Sequence, residues 1–367
     1  MLRPAAPSRF TGIRRGRARI VLAALAALLL LSLTALAVPG PPALDASTGV
    51  GSDVQTDLML YEKIVGGVKG GDNYYHVAAD ALRAGQYPLR PFLTFRLPAL
   101  ATVLAALPGW LPPRYLLFAL VFLVAAVWFA RLRPIVASPV PAIASALLLV
   151  GSMLAFLQGD LAAFHEIWAG LLIALSLALR RPGRWIEAVA VALAAMLIRE
   201  TAALYVIVMG VTAWIEGERR EARGWAAALA LFAAALGLHA WAVAGVTGPL
   251  DPASPGWAGL LGFGFFVKAI GLATALQLLP VWAAALLAGL ALFGWASWRD
   301  PLGLRMTLTL LAYAAAIGIF ARLDTFYWAL IVAPVFLLGL LFVPGALRDL
   351  FVQALDRRRI TVTRVPR

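Results

Sequence analysis

The chain has 367 residues, 62% of them hydrophobic and only 13% charged, about half the roughly 25% charge of soluble domains. A mean hydropathy of +0.88 and the complete absence of cysteine exclude a soluble globular domain, disulfides and thiolate metal sites. The net charge of +13 would suggest nucleic acid in a soluble protein. Here arginine crowds the chain ends and short loops, the pattern of cytoplasmic segments beside anionic lipid, and no nucleic-acid partner follows.

Residues 1–19 carry six arginines and no acid, which predicts a cytoplasmic N-terminus. Ile20 to Val38 is long enough to cross a bilayer, whose core needs about 20 helical residues. Ala35-Leu36-Ala37 also resembles a signal-peptidase site; the orientation of the rest is the same if the chain is cut there. Residues 39–98 then form a first outer loop. It holds Asp53, Asp57 and Glu62, with a short surface helix expected over Leu58 to Val65.

The most informative stretch runs from Gly70 to Pro98. The 3-4-3 spacing of Asp72, Tyr75, Ala79 and Leu82 predicts an amphipathic helix over Tyr74 to Ala84 that begins at Asp72 and puts these four on one face. Gly85 ends it, Tyr87-Pro88 turns the chain, and Arg90 and Arg96 stand beside two prolines, Pro91 and Pro98, that lead into an apolar run. Leu97 to Trp110 is apolar but only about two-thirds of a span.

Further apolar runs follow: Tyr115 to Ala130, Val140 to Leu157, Ala163 to Leu179, Trp185 to Ile198, Ala202 to Ile215 and Trp225 to Val246. Gly259 to Leu279 is mixed and contains Lys268. Leu279 to Trp298, Met306 to Phe320 and Trp328 to Phe342 complete the series. The stretch Glu216 to Arg223 is read as a charged loop. If Leu97 to Trp110 does not cross, then Arg131/Arg133, Arg180/Arg181/Arg184, Arg219/Arg220/Arg223, Arg299/Arg305 and the tail all fall inside. If it crosses, all of them fall outside, against the positive-inside rule. The expected fold is therefore an all-α polytopic helical bundle of about ten crossings, with one or two interfacial or re-entrant segments. Residues 20–344 form a single transmembrane domain and residues 345–367 a basic cytoplasmic tail.

This topology collects Asp72, Arg90, Arg96, Asp160, His165, Glu166, Arg199, Glu200, Lys268, Arg322 and Asp324 on the outer side. Charges at membrane depth are costly, which marks them as candidates. Neutralisation within the pairs Arg199/Glu200 and Arg322/Asp324 is the structural alternative, and His165 is read as a hydrogen-bonded helix-end residue. Tyrosines and tryptophans near span ends read mainly as an interface belt. Gly66-Gly67 and Gly70-Gly71 lack the strand–helix setting and GK[ST] ending of a phosphate loop. No HExxH or other metal pattern occurs.

The order of one span, a large outer loop with an acid at a surface helix, and a basic–proline entry to an apolar run resembles the GT-C superfamily of polytopic glycosyltransferases. Protein O-mannosyltransferases and lipid A aminoarabinose transferases belong to it. Asp72, Tyr75, Ala79 and Gly85 fit the first-loop pattern, and Arg96-Leu97-Pro98 stands at the basic–proline stretch. Glu166 and Arg199 can fill the later outer acid and base. The resemblance covers about the first 215 residues. It departs at Asn73, where many relatives have a second acid, in about thirty extra residues before Asp72, and in showing no soluble C-terminal domain.

The resemblance implies transfer of a sugar from a polyprenyl-phosphate donor in the lipid bilayer to an acceptor on the outer membrane face; the Ala- and Arg-rich style of the sequence suggests a bacterial inner membrane. The chemistry needs a carboxylate to take the acceptor proton and arginines to hold the departing phosphate. The expected catalytic residue is Asp72, with Glu166 and Asp57 behind it. Substrate binding is expected at Tyr75, Arg90, Arg96, Arg199, Lys268 and Arg322. The alternative for Asp72 is a helix cap only. No cofactor follows, although a divalent cation could assist. A transporter or flippase, or a non-catalytic envelope scaffold, are the rival functions.

Overall fold

The computed structural model of the chain describes residues 7–40, 53–136 and 138–356, without the side chains of 53–56. The expectation at the Asp53 side chain and that for the tail beyond 356 lie outside the described residues. Among the described residues the secondary structure is helical, apart from two isolated β-bridges.

Helix α1 (Arg15–Ser32) continues through a 3-10 turn at Leu33–Ala37. Its buried residues Ala18, Leu25 and Ser32 recur at every seventh position, so a narrow stripe meets the bundle and, beyond the exposed Arg15, Arg17 and Arg19, the rest is apolar surface. A pair of polar-loop helices follows, α2 (Asp53–Lys69) and α3 (Tyr74–Ala84). Helix α2 is longer at both ends than the surface helix expected over Leu58 to Val65. Helix α3 has the expected bounds, but not the expected start. Asn73 is the cap, its side chain accepting from Tyr75 N at 3.0 Å, and Asp72 is exposed ahead of the helix. The buried face is Tyr74, Ala78, Ala79, Ala81 and Leu82, so Asp72 does not share it.

Helix α4 (Ala99–Ala105) has only 7 residues, about 10 Å at 1.5 Å each, against a hydrocarbon core of about 30 Å. Helices α5 (Pro113–Leu132) and α6 (Pro139–Ser152) both begin with proline in the first turn, where its missing N–H costs no bond. After two 3-10 turns come α7 (His165–Leu179), α8 (Ile186–Ile198) and α9 (Ala203–Ile215). Then follow α10 (Arg219–Ala244), α11 (Gly262–Leu272), α12 (Val281–Ser297) and α13 (Pro301–Phe320). The 3-10 segments Leu323–Ile331 and Ala333–Phe342 lead into α14 (Val343–Leu355).

Two boundaries differ from the sequence reading. Arg219 to Arg223 are helical: arginine and glutamate are good helix formers, and Glu221 in the first turn of α10 suits the helix dipole. Helical structure also runs past Phe342 to Leu355, because Pro344 falls in the first turn of α14. The boundary expected at residue 344 therefore cuts a helical segment.

Among the described residues five segments are long and apolar enough to cross a membrane: Arg15–Ala37, Pro113–Leu132, Arg219–Ala244, Pro301–Phe320 and Ala333–Leu355. Shorter apolar helices fill the bundle between them. Large apolar side chains such as Phe122, Leu147 and Trp241 face outward, as an apolar surrounding allows.

Helix α7 is buried on nearly every face. At Gly170 a Cβ would lie 2.3 Å from the carbonyl oxygen of Leu330, so only glycine lets the Leu323–Ile331 segment lie against α7. Polar residues gather at both ends of this central layer. One end holds Glu166 at the start of α7, Arg199 and Glu200 between α8 and α9, and Arg322 after α13. The other holds Arg180, Glu216 and Arg305 at the opposite ends of α7, α9 and α13, with Glu221 in the first turn of α10. Arg131 of α5 meets Asp300 there at 3.7 Å, and Ser8 donates to Asp349 at 2.7 Å. The chain's N-terminal stretch thus shares that second end.

Candidate functional site

The first polar end encloses a cavity of about 290 Å³. Helix α2 contributes Asp57, Leu60, Tyr61 and Ile64 to its wall; the 3-4-7 spacing puts all four on one helix face. Tyr74, Tyr87 and Arg96 come from the rest of the loop, Arg199 from the end of α8, and Arg322, Tyr327 and Trp328 from the segment held against α7. Beside it runs an apolar groove of about 370 Å³ lined by Leu204, Ile207, Ile317, Phe320 and Ile331. Leu93, Arg96, Arg199, Trp257 and Trp328 line both spaces.

The charges in the shared wall are arranged in a chain. Arg199 is 2% exposed and its Nε donates to Glu166, itself 0% exposed, at 2.6 Å. A second nitrogen of Arg199 bonds Glu200. Burying these ions singly would cost several kcal/mol each, so the pairing is what makes the arrangement tolerable. Arg96 is held differently. Its Nη atoms stand 3.9 and 4.0 Å from Glu166 and Glu200, beyond hydrogen-bond reach. Its Nε donates to the Tyr61 hydroxyl at 3.0 Å, and Tyr74 donates to the Arg96 carbonyl at 2.6 Å. Arg96 is therefore fixed in position while its terminal nitrogens border both spaces. Trp328 faces Arg199 at 5.9 Å from the ring centroid, within cation–π range.

Asp57 is buried in the polar part. Tyr327 donates to its Oδ2 at 3.3 Å, and Tyr87 also hydrogen-bonds it. Burial pushes its carboxyl above the ordinary range; the two phenols and Arg96 pull the other way. Burial likewise pushes the Tyr61 phenol up to about 12.

A loop from Gly245 to Leu261 covers the cavity. Arg83 of α3 forks onto Asp251 at 2.9 and 2.8 Å, holding that carboxyl down at about 2. Leu89 N donates to Pro252 O at 2.9 Å and Ser254 N to Arg90 O at 2.7 Å. These bonds bring Ser254, Pro255 and Trp257 over the cavity.

The expected residues divide accordingly. Asp57, Arg96, Arg199 and Arg322 line the cavity, and Glu166 backs its arginines. Asp72 does not line it: the chain turns from α2 to α3 there and its side chain faces solvent. Tyr75 turns to α10, its hydroxyl 3.2 Å from Nδ1 of His239. Arg90 binds the covering loop, its Nε donating to Asp251 O at 2.9 Å. Lys268 of α11 donates to the Val38 carbonyl, away from both spaces. The Arg199/Glu200 and Arg322/Asp324 pairs both form. His165 lies against the Tyr61 ring at 4.7 Å, and among the described residues its ring nitrogens have no hydrogen-bond partner, unlike the hydrogen-bonded helix-end role expected.

Sequence reasoning missed Tyr61, Tyr74, Tyr87, Tyr327, Trp257 and Trp328 as site residues. For Tyr61 the 3-4-7 pattern with Asp57 was a usable signal; for Trp257 and Tyr327 nothing local distinguishes them from an interface belt. Among the described residues no group of three or more His, Asp or Glu side chains is placed to hold a metal ion. No family model matches the chain, and comparisons with curated proteins and with solved structures give no match.

Proposed function

We propose that the chain is a membrane glycosyltransferase that moves a sugar from a polyprenyl-phosphate donor to a hydroxyl or amine acceptor. The observation that carries this is the pair Arg96 and Arg199 in the wall common to an aromatic polar cavity and an apolar groove. An amphiphile with its anionic group at the junction fits both spaces. Its lipid chain lies in the groove, its phosphate meets the arginine forks, and its sugar lies among Tyr61, Tyr74 and Trp257.

In the proposed step the acceptor oxygen or nitrogen attacks the sugar's anomeric carbon. Asp57 takes the acceptor proton. The bond from that carbon to the phosphate oxygen breaks, and polyprenyl phosphate leaves with the electron pair, its charge met by Arg96. Arg96→Ala is expected to lower transfer at least tenfold, chiefly in kcat, in membranes supplied with a polyprenyl-phosphate sugar. Unchanged transfer would remove the junction as the donor site.

The same reading sets the topology. Helix α4 is too short to cross, and α11 with 11 residues spans only about 16 Å. Crossings by α1, α5 to α10, α12, α13 and the segment ending in α14 total ten. Both termini and the Arg180/Arg305 end then lie in the cytoplasm, and the cavity lies at the outer face of a bacterial inner membrane. In this cysteine-free chain, Leu250→Cys, at a residue 98% exposed, is expected to react with an impermeant thiol reagent in intact cells, and Arg219→Cys is not. The reverse labelling pattern would invert the assignment.

A further inference from the structure

Three segments distant in sequence meet at one carboxylate, and two of them bring a phenol. Asp57 comes from α2. Tyr327 comes from the segment that Gly170 allows against α7, and its hydroxyl is 3.3 Å from Asp57 Oδ2. Tyr87 comes from the end of α3, where the chain reverses by a Schellman turn. Gln86 takes the left-handed conformation at φ 57, Gln86 N bonds Arg83 O at 3.1 Å, and Tyr87 N bonds Leu82 O at 2.9 Å. A Cβ at Gly85 would lie 2.8 Å from two Tyr87 ring carbons. Glycine at 85 is therefore what lets the phenol fold back toward Asp57.

We propose that Tyr87 and Tyr327 are positioning residues that aim the Asp57 carboxylate into the cavity and keep it ionised there; the inference rests on the transferase reading. An ionised carboxylate accepts hydrogen bonds only, and two donors on it leave the remaining lone pairs directed at the acceptor proton. The other titratable and charged groups lining the cavity with Asp57 are Arg96, Tyr61 and Tyr74 from the loop, Arg199 and the Arg322–Asp324 pair, with Glu166 of α7 behind the arginines. Arg96 favours the ionised form and Glu166 opposes it. Without the phenols, burial acts on the carboxylate with less to oppose it.

Removing a donor to an ionised group raises that group's pKa. The acid limb of kcat/KM against pH is therefore expected to move upward by roughly one pH unit in Tyr87→Phe and Tyr327→Phe, and further in the double variant. That is about a tenfold loss at a pH on the limb, recovered on raising the pH. A purely structural role for the phenols would lower activity alike at every pH and would overturn the proposal. Gly85→Ala, which displaces the Tyr87 ring, is expected to reproduce the Tyr87→Phe profile. A second readout needs no turnover. The protonated-carboxyl infrared band that disappears in Asp57→Asn reports the titration of Asp57 directly, and it is expected to shift in the same direction in both Phe variants. An unmoved band overturns the proposal. A moved band in a protein that transfers no polyprenyl-phosphate sugar sinks the transferase reading and leaves the coupling of the phenols to Asp57 standing.

Discussion

Asp57→Asn is expected to lower sugar transfer by roughly a hundredfold or more while the protein still folds, and Asp72→Asn to change it less than severalfold. The amide keeps the size of the carboxylate and can still accept from Tyr327 and Tyr87, but it cannot take a proton from an acceptor. Asp72 is exposed, lines neither space, and leaves the capping of α3 to Asn73. The pH profile gives a second check on Asp57. Burial disfavours the charged form, so its pKa stands above the ordinary value near 3.8. A base acts only when ionised, so activity is present above that raised pKa and is lost as pH falls through it. The acid limb should therefore lie at higher pH than a solvent-exposed carboxylate gives. The measurement is initial rate against pH in membranes with matched expression. Full activity in Asp57→Asn, or an hundredfold loss in Asp72→Asn, would move the base elsewhere.

The contrast between these two acids shows what was legible in the sequence. Hydrophobic runs set nearly all the helices, because their lengths depend on local composition. The bounds of α3 followed from spacing and from the turn at Gly85. The failure of Leu97 to Trp110 to make a full-length helix followed from its short apolar run and from charge parity. Pairing of Arg199 with Glu200 and of Arg322 with Asp324 was readable because the partners are near neighbours. The acid that reaches the cavity was not readable in this way. In the sequence Asp57 and Asp72 both read as outer-loop acids beside an expected surface helix. What separates them is the docking of α2 through its Asp57–Tyr61–Ile64 face, a tertiary event. Arg90 and Lys268 illustrate the converse. Each was an expected donor-binding cation, and each is engaged by a backbone carbonyl, Arg90 with Asp251 and Lys268 with Val38, which no local pattern announces.

The largest expected loss of stability comes from the opposite end of the bundle. Arg180 of the α7–α8 turn forks onto Glu221 of α10 at 3.0 and 2.7 Å. Arg305 of α13 forks onto Glu216, at the end of α9, at 2.8 and 2.5 Å. Cross-contacts of 3.8 Å from Arg180 to Glu216 and from Arg305 to Glu221 close the four into a ring. Trp225 adds a bond to Glu221 at 3.2 Å. Arg305 and Glu221 are 0% and 1% exposed, so water cannot replace a lost partner. Glu221→Ala leaves two buried guanidinium groups sharing Glu216 and is expected to cost about 3–5 kcal/mol. Arg181→Ala, at the exposed neighbour of Arg180, is expected to stay within about 0.5 kcal/mol. The paired replacement Arg180→Met with Glu221→Met should recover much of the loss, because it removes the unpaired charge along with the pair. Thermal unfolding in detergent, followed by intrinsic tryptophan fluorescence, reads all three. A Glu221→Ala protein that unfolds with the wild type would mean that packing alone, and not the ionic ring, joins α7, α9, α10 and α13 at this end. Because α7 and the α8–α9 junction carry Glu166, Arg199 and Glu200 at their other ends, the same variant is expected to weaken transfer through loss of folded protein, with KM for the donor unchanged in the fraction that remains folded.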